Sequence, residues 1–143
     1  MKFWDASALI PLCVEEAASG VARDLLRADP DMAVWWGSPV ECWSAFARLR
    51  REGVLSSDQE DAARERLGKF QRVWVEIEPG EEVRGQAGRV VRLHPLRAAD
   101  ALQLAAALVW VGRTSSGEIV VLDKRIREAA RLEGLTPVPG DPP

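Results

Sequence analysis

Ile119-Val120-Val121-Leu122-Asp123 is an apolar run that breaks off on an acid. The run does not alternate with polar residues, so it reads as a strand buried on both faces rather than one with a wet side. Met32-Ala33-Val34-Trp35-Trp36 reads the same way, and Lys2-Phe3-Trp4 is a shorter strand that also stops on an acid, Asp5. Strands of this kind need helices on both faces, and helical patterns lie between them. The expectation is an α/β domain with a mostly parallel central sheet.

Ala8–Leu12 reads as a short helix. Ala17–Ala28 reads as a second, with Ala18, Val21, Ala22, Leu25 and Leu26 on one stripe. Ser38-Pro39-Val40-Glu41 resembles a helix start, with serine as cap, proline in the first turn and a glutamate three residues on, and Gly53 ends that helix. Ser57 and Glu60 suggest a second capping box before a helix reaching Phe70. Val73, Val75 and Ile77 alternate as in a strand, and Pro79 opens a helix to about Leu93, broken by His94-Pro95. Residues 97–111 are apolar almost all round, which places that helix centrally. Residues 112–117 read as a loop, a charged helix follows Asp123 and reaches Glu133, and Thr136–Val138 is a last strand. The chain is expected to be a single domain over 1–143, with 139–143 a frayed tail.

At 143 residues, 47% apolar, the chain is long enough to bury a core without staples. It has no run of 18 apolar residues, so no membrane span is expected, and the segment at Met1 lacks the charged head and cleavage site of a secretory leader. A cytoplasmic location follows as the default. Cys13 and Cys42 sit in apolar helical contexts and read as reduced, packed thiols. With one histidine, His94, and no Cys-x-x-Cys, the chain has no zinc ligand set, so any metal must be a hard cation held by carboxylates, such as magnesium or manganese. The net charge of −3 argues against a protein that simply coats nucleic acid, although its cations are mostly arginine, which suits phosphate.

Four acids stand out. Asp5 and Asp123 each follow a strand, and in an open α/β sheet ligands bind outside the carboxyl ends of the strands. Each could equally cap the helix that follows it. Asp100 lies in Ala98-Ala99-Asp100-Ala101-Leu102-Gln103-Leu104, where a carboxylate costs several kcal/mol unless compensated by a cation or by Arg97 one turn earlier. Glu41 can fold back on the amide of Ser38 as the third residue of a capping box, and from the helix start it can also face the same crevice. Ser7, two residues after Asp5, is placed to orient that acid or to cap the next helix.

On these residues the chain resembles the PIN-domain family, and within it the VapC-type toxins. The resemblance runs in order through Phe3-Trp4-Asp5-Ala6-Ser7-Ala8-Leu9, then Ser38-Pro39-Val40-Glu41 with Arg48, Arg50 and Arg51, then Leu96-Arg97-Ala98-Ala99-Asp100-Ala101-Leu102-Gln103-Leu104-Ala105, then Val121-Leu122-Asp123-Lys124-Arg125 and Glu133-Gly134-Leu135. It implies a Mg2+-dependent endoribonuclease, with Mn2+ as a substitute, that cleaves RNA to leave a 5′-phosphate. It also implies Asp5 and Asp100 as direct metal ligands and Asp123 and Glu41 as holders of a second metal or its waters. Ser7 and Arg97 would be supporting residues, and Arg48, Arg50, Arg51, Lys124 and Arg125 contacts to the RNA backbone. A cognate antitoxin whose tail covers the site and a homodimer follow from the same resemblance.

Two positions depart from the pattern. Gln103 replaces a common histidine and is expected on the helix behind the metal site, and Val121 stands where many relatives carry threonine or serine. One alternative is an inactive domain of the same fold that only binds RNA or protein, which a missing acid would favour. The other is a metal-dependent phosphatase or receiver domain. The phosphatase pattern needs Asp-x-Asp where this chain has Asp5-Ala6-Ser7. The six tryptophans, Trp4, Trp35, Trp36, Trp43, Trp74 and Trp110, read as core or interface residues before base-stacking ones.

Overall fold

The computed structural model describes residues 1–114 and 117–141. Five strands, β1 (Lys2–Trp4), β2 (Met32–Trp35), β3 (Val75–Ile77), β4 (Glu118–Val120) and β5 (Thr136–Val138), alternate with seven helices. They form one sheet in the order β3-β2-β1-β4-β5, and every pairing is parallel. The helices are α1 (Ala6–Cys13), α2 (Ser19–Ala28), α3 (Ser38–Arg51), α4 (Ser57–Gln71), α5 (Glu81–Leu93), α6 (Ala98–Val111) and α7 (Lys124–Leu132).

The period-two geometry of a strand sorts its side chains onto two faces. Trp4, Met32, Val34 and Val120 enter one core with residues of α1 to α4, and Phe3, Ala33, Trp35, Ile119 and Val121 enter another with α5, α6 and α7. Chain order explains the division. From β1 the chain steps outward to β2 and β3, then returns to the other side of β1 for β4 and β5. Right-handed crossovers that advance in opposite directions along a sheet lie on opposite faces. The reversal leaves a topological switch point between β1 and β4.

α6 is buried along most of its length, as its composition predicts, and packs on α5. Four tryptophans (Trp4, Trp35, Trp74 and Trp110) are buried, Trp43 is half-buried under the Arg64 guanidinium, and Trp36 is 52% exposed. Both cysteines are buried free thiols, and burial pushes the Cys13 thiol up to about 12. Among the described residues no helix is long and apolar enough to cross a membrane.

Several local expectations are corrected. Gly37, not Ser38, caps α3. No side chain caps that end, because the Ser38 hydroxyl is taken by Gln103. Gly37 is required there, since a Cβ would meet the Trp35 indole nitrogen at 2.5 Å. The capping box of α4 is Ser56 with Gln59, one residue earlier than expected, while Glu60 pairs with Arg50 of α3. β4 stops at Val120 and α5 starts at Glu81. Residues 139–141 do not fray: Arg127 donates to the Pro139 carbonyl at 2.6 Å, and Arg127 and Arg131 both hold the Asp141 carboxylate. Residues 142 and 143, and part of the loop expected at 112–117, lie outside the described residues.

Candidate metal centre

Asp5 follows β1 and Asp123 follows β4 within three residues, so the switch point sets them side by side. The Asp5 amide donates to the Val120 carbonyl, continuing the ladder to the strand end. One carboxylate oxygen of Asp5, Oδ2, accepts from the Ser7 amide (2.9 Å) and the Ser7 hydroxyl. That hydroxyl also accepts from the amides of Leu122 (2.9 Å) and Asp123 (3.3 Å), so Ser7 ties the end of β1 to the end of β4. Asp123 Oδ1 caps α7 by accepting from the amides of Arg125 and Ile126. The capping readings of Asp5 and Asp123 therefore hold, and they leave the crevice open to both.

Asp100 lies in the first turn of α6, where its Oδ2 accepts from the Arg97 amide at 3.2 Å. The compensation expected from the Arg97 side chain is not seen: its guanidinium forms no ion pair among the described residues. Glu41, in the first turn of α3, does not fold back on Ser38. Its Oε2 accepts from the Gln103 amide at 2.5 Å. Gln103 lies on α6 behind the cavity lining, as expected, but it is tied to the site through Glu41. It is fully buried, and its Nε2 bridges Glu41 and, at 2.8 Å, the Ser38 hydroxyl.

All four acids line one cavity of about 510 Å³, together with Ser7, Ser44 and Arg48. Each spends one oxygen on holding the fold, and among the described residues the other has no hydrogen-bond partner. For Asp5 that free oxygen, Oδ1, is itself buried. Burial raises the Asp5 carboxyl to about 6 against the bonds from Ser7, and the charges of Asp123 and Asp100 add to the rise. Burial likewise raises Glu41 to about 7, opposed by the Gln103 hydrogen bond and reinforced by Asp5 and Asp100. The four acids thus sit in one another's fields, at a real cost in free energy.

A buried carboxylate oxygen without a donor, facing a cavity ringed by three more carboxylates, fits a hard divalent cation. Among the described residues, no three acids, histidines or cysteines close around a single point as a ready-made cage. A cation that keeps much of its own hydration suits such an open ring.

Arg48 lines the cavity, with only a 3.9 Å contact to Glu52. Arg50 is engaged by Glu60 at 2.8 Å, and Arg51 and Arg125 are exposed outside the lining. Lys124 lines a neighbouring cavity with Leu122, Arg127 and Arg131. Val121 is buried in the core and does not line the cavity, and Ser7 supplies the hydroxyl at that corner. The place of Ser44 in the lining and the bonds from Gln103 to Ser38 and Glu41 are not legible in the sequence. Ser44 lies one turn after Glu41 and Gln103 one turn after Asp100, so helical spacing alone hints at them.

Two ribonucleases of Mycobacterium tuberculosis, VapC45 of strain CDC 1551 / Oshkosh and VapC49 of strain ATCC 25618 / H37Rv, are each 31% identical to this chain over 144 residues. The alignment takes in 97% of this chain and 95% of each relative. The chain belongs to the VapC-type PIN-domain toxins. No family model matches it. The fold agrees with this membership. The crystal structure of M. tuberculosis VapC20, a Sarcin-Ricin loop cleaving toxin, superposes with a TM-score of 0.68 at 18% identity, covering 90% of this chain and 95% of that one. A toxin–antitoxin complex from Klebsiella pneumoniae gives 0.62 at 16% identity, covering 89% and 90%. The α/β architecture of this VapC-type chain, with its parallel sheet, is therefore shared with the solved VapC20 structure.

Proposed function

We propose that this VapC-type chain is a metal-dependent endoribonuclease that serves as the toxin of a toxin–antitoxin pair, hydrolysing phosphodiester bonds of RNA with Mg2+, or Mn2+ in its place. One observation carries the reading: four carboxylates converge on one cavity at the switch point of the sheet, each with an oxygen left over. The family relatives, named as ribonucleases, support the same reading.

In this assignment Asp5 and Asp100 hold the cation directly, and Glu41 and Asp123 complete its surroundings. When bound, the cation supplies positive charge against the phosphate oxygens and lowers the pKa of a coordinated water. The chain's residues do the rest. Ser7 fixes the direction of the Asp5 carboxylate, and its bonds to the amides of Leu122 and Asp123 set the spacing of the two strand ends. Arg48, on the cavity wall, is placed to meet a phosphate. Arg51, Lys124 and Arg125 extend positive charge along the surface for the RNA backbone, whereas Arg50 is occupied by Glu60.

The inactive-module alternative loses its main support because no acid is missing or turned out of the cavity. The phosphatase alternative lacks its second acid, since Ser7 holds that place and bonds to Asp5.

Expression tests the biological role. The chain alone, induced in a bacterial host, arrests growth, and co-expression of its antitoxin restores it. Unchanged growth with soluble protein accumulating would contradict this. Assembly is the second expectation. Trp36, Val73 and Val75 are exposed apolar side chains at or near the β3 edge of the sheet, and such a surface favours a homodimer. Sedimentation at micromolar concentration is expected to show a dimer, and a species only near 15.8 kDa would refute it.

A further inference from the structure

Gln103 is the largest fully buried polar side chain, placed in a helix that is otherwise apolar at its level. Burying an amide in such surroundings costs a few kcal/mol unless its groups are bonded. Its Nε2 has two protons and two acceptors, Ser38 Oγ at 2.8 Å and Glu41 Oε2 at 2.5 Å. Its Oε1 is buried with no partner. A residue selected only for packing would not leave an acceptor orphaned in the core. The arrangement makes sense if the donor end is what matters. Both bonds cross from α6 to α3, 62 and 65 residues away, and both end in the first turn of α3, where no side chain caps the helix. Among the described residues, no side chain or amide other than Gln103 donates a hydrogen bond to the Glu41 carboxylate.

We propose that Gln103 is a positioning residue of the metal centre: its amide, anchored on Ser38, holds the Glu41 carboxylate in the cavity facing Asp5 and Asp100. The inference rests on the assignment of Glu41 to that centre. Because the donor is an amide, it carries no charge and does not itself titrate. It also donates without accepting from Glu41, which leaves Glu41 Oε1 for the cation.

The test uses Gln103→Leu, which keeps side-chain volume and the apolar surroundings, and Gln103→His, which restores one N–H donor. Crystal structures of metal-free wild type and Gln103→Leu read the position directly. The Glu41 carboxylate is expected in the cavity in the first and swung out in the second. Calorimetric titration with Mn2+ should show an affinity loss of roughly 10–100-fold for Gln103→Leu, the range typical of residues that orient metal ligands. Gln103→His should recover much of it. If Gln103 acts through Glu41, the same Leu substitution placed on a Glu41→Gln background adds little further loss. An unmoved Glu41 carboxylate in Gln103→Leu overturns the inference, whether or not the wild type cleaves RNA. So does wild-type Mn2+ affinity in that variant. A role in packing alone would lower the melting temperature equally in both backgrounds and leave Mn2+ affinity of the folded protein intact, which also overturns it. Failure of the wild type to bind Mn2+ would instead refute the metal-centre assignment, while the Glu41 position remains readable from the crystals.

Discussion

Asp5→Asn is expected to fold, to lose RNA cleavage and growth arrest, and to be more stable than the wild type when metal-free at pH 8. The asparagine carbonyl can keep both bonds from Ser7, so the β1 to β4 tie survives. What disappears is the charge behind the buried, unpartnered Oδ1. The activity loss should exceed the roughly 10–100-fold typical of residues that only orient ligands. The stability gain follows from the titration. Asp5 is raised from 3.8 to about 6 and Glu41 from 4.5 to about 7. Between about pH 4 and 7 the folded chain therefore holds protons that the unfolded chain has released, and its stability falls as pH rises through that window. At about 1.4 kcal/mol per pKa unit, Asp5 accounts for about 3 kcal/mol of the fall. Asparagine removes that share, so wild type and variant are alike at pH 4 and diverge by pH 8. Denaturant melts in EDTA at several pH values measure this. A wild-type curve flat from pH 4 to 8, or a folded Asp5→Asn protein that still arrests growth, would contradict the assignment.

Asp100→Asn separates the metal from the RNA. A ligand that binds only the folded state stabilises it by mass action, by about 2.7 kcal/mol at a hundredfold excess over its dissociation constant. For a domain of this size that is a rise of several degrees in melting temperature. Mn2+ should produce this rise in the wild type at pH 8, and less at pH 5, where protons compete for Asp5 and Glu41. Asp100→Asn should lose most of it while keeping the bond to the Arg97 amide through its carbonyl oxygen. An equal Mn2+ shift in this variant would remove Asp100 from the metal centre.

Much of this architecture is legible from the chain alone, because strands buried on both faces leave unbroken apolar runs and strand-end acids follow them directly. Asp5 and Asp123 were readable for that reason, and Asp100 because a carboxylate among alanines and leucines demands compensation. What escaped depends on partners distant in sequence. Ser38 looked like a helix cap, yet Gln103, 65 residues later, takes its hydroxyl and leaves Gly37 to start the helix. Ser56-x-x-Gln59 and Ser57-x-x-Glu60 are equally good capping boxes locally, and Arg50 decides between them by drawing Glu60 away. The tail looked free because the two arginines that hold Asp141 belong to α7, and only the packing of β5 brings them to it. The helical spacing of Asp100 to Gln103 and of Glu41 to Ser44 was present in the sequence, but which face met which required the fold.

The four-carboxylate cavity is proposed to be a metal-dependent nuclease centre. Incubating the purified, antitoxin-free chain with a broad panel of structured and single-stranded RNAs tests it most directly, with Mn2+, with EDTA, and with Mn2+ restored after EDTA. The expected result is cleavage that leaves 5′-phosphate ends, stops with EDTA and returns with the metal, while small phosphomonoesters are untouched. No cleavage of any RNA in the presence of Mn2+, by protein that circular dichroism shows to be folded, would contradict it.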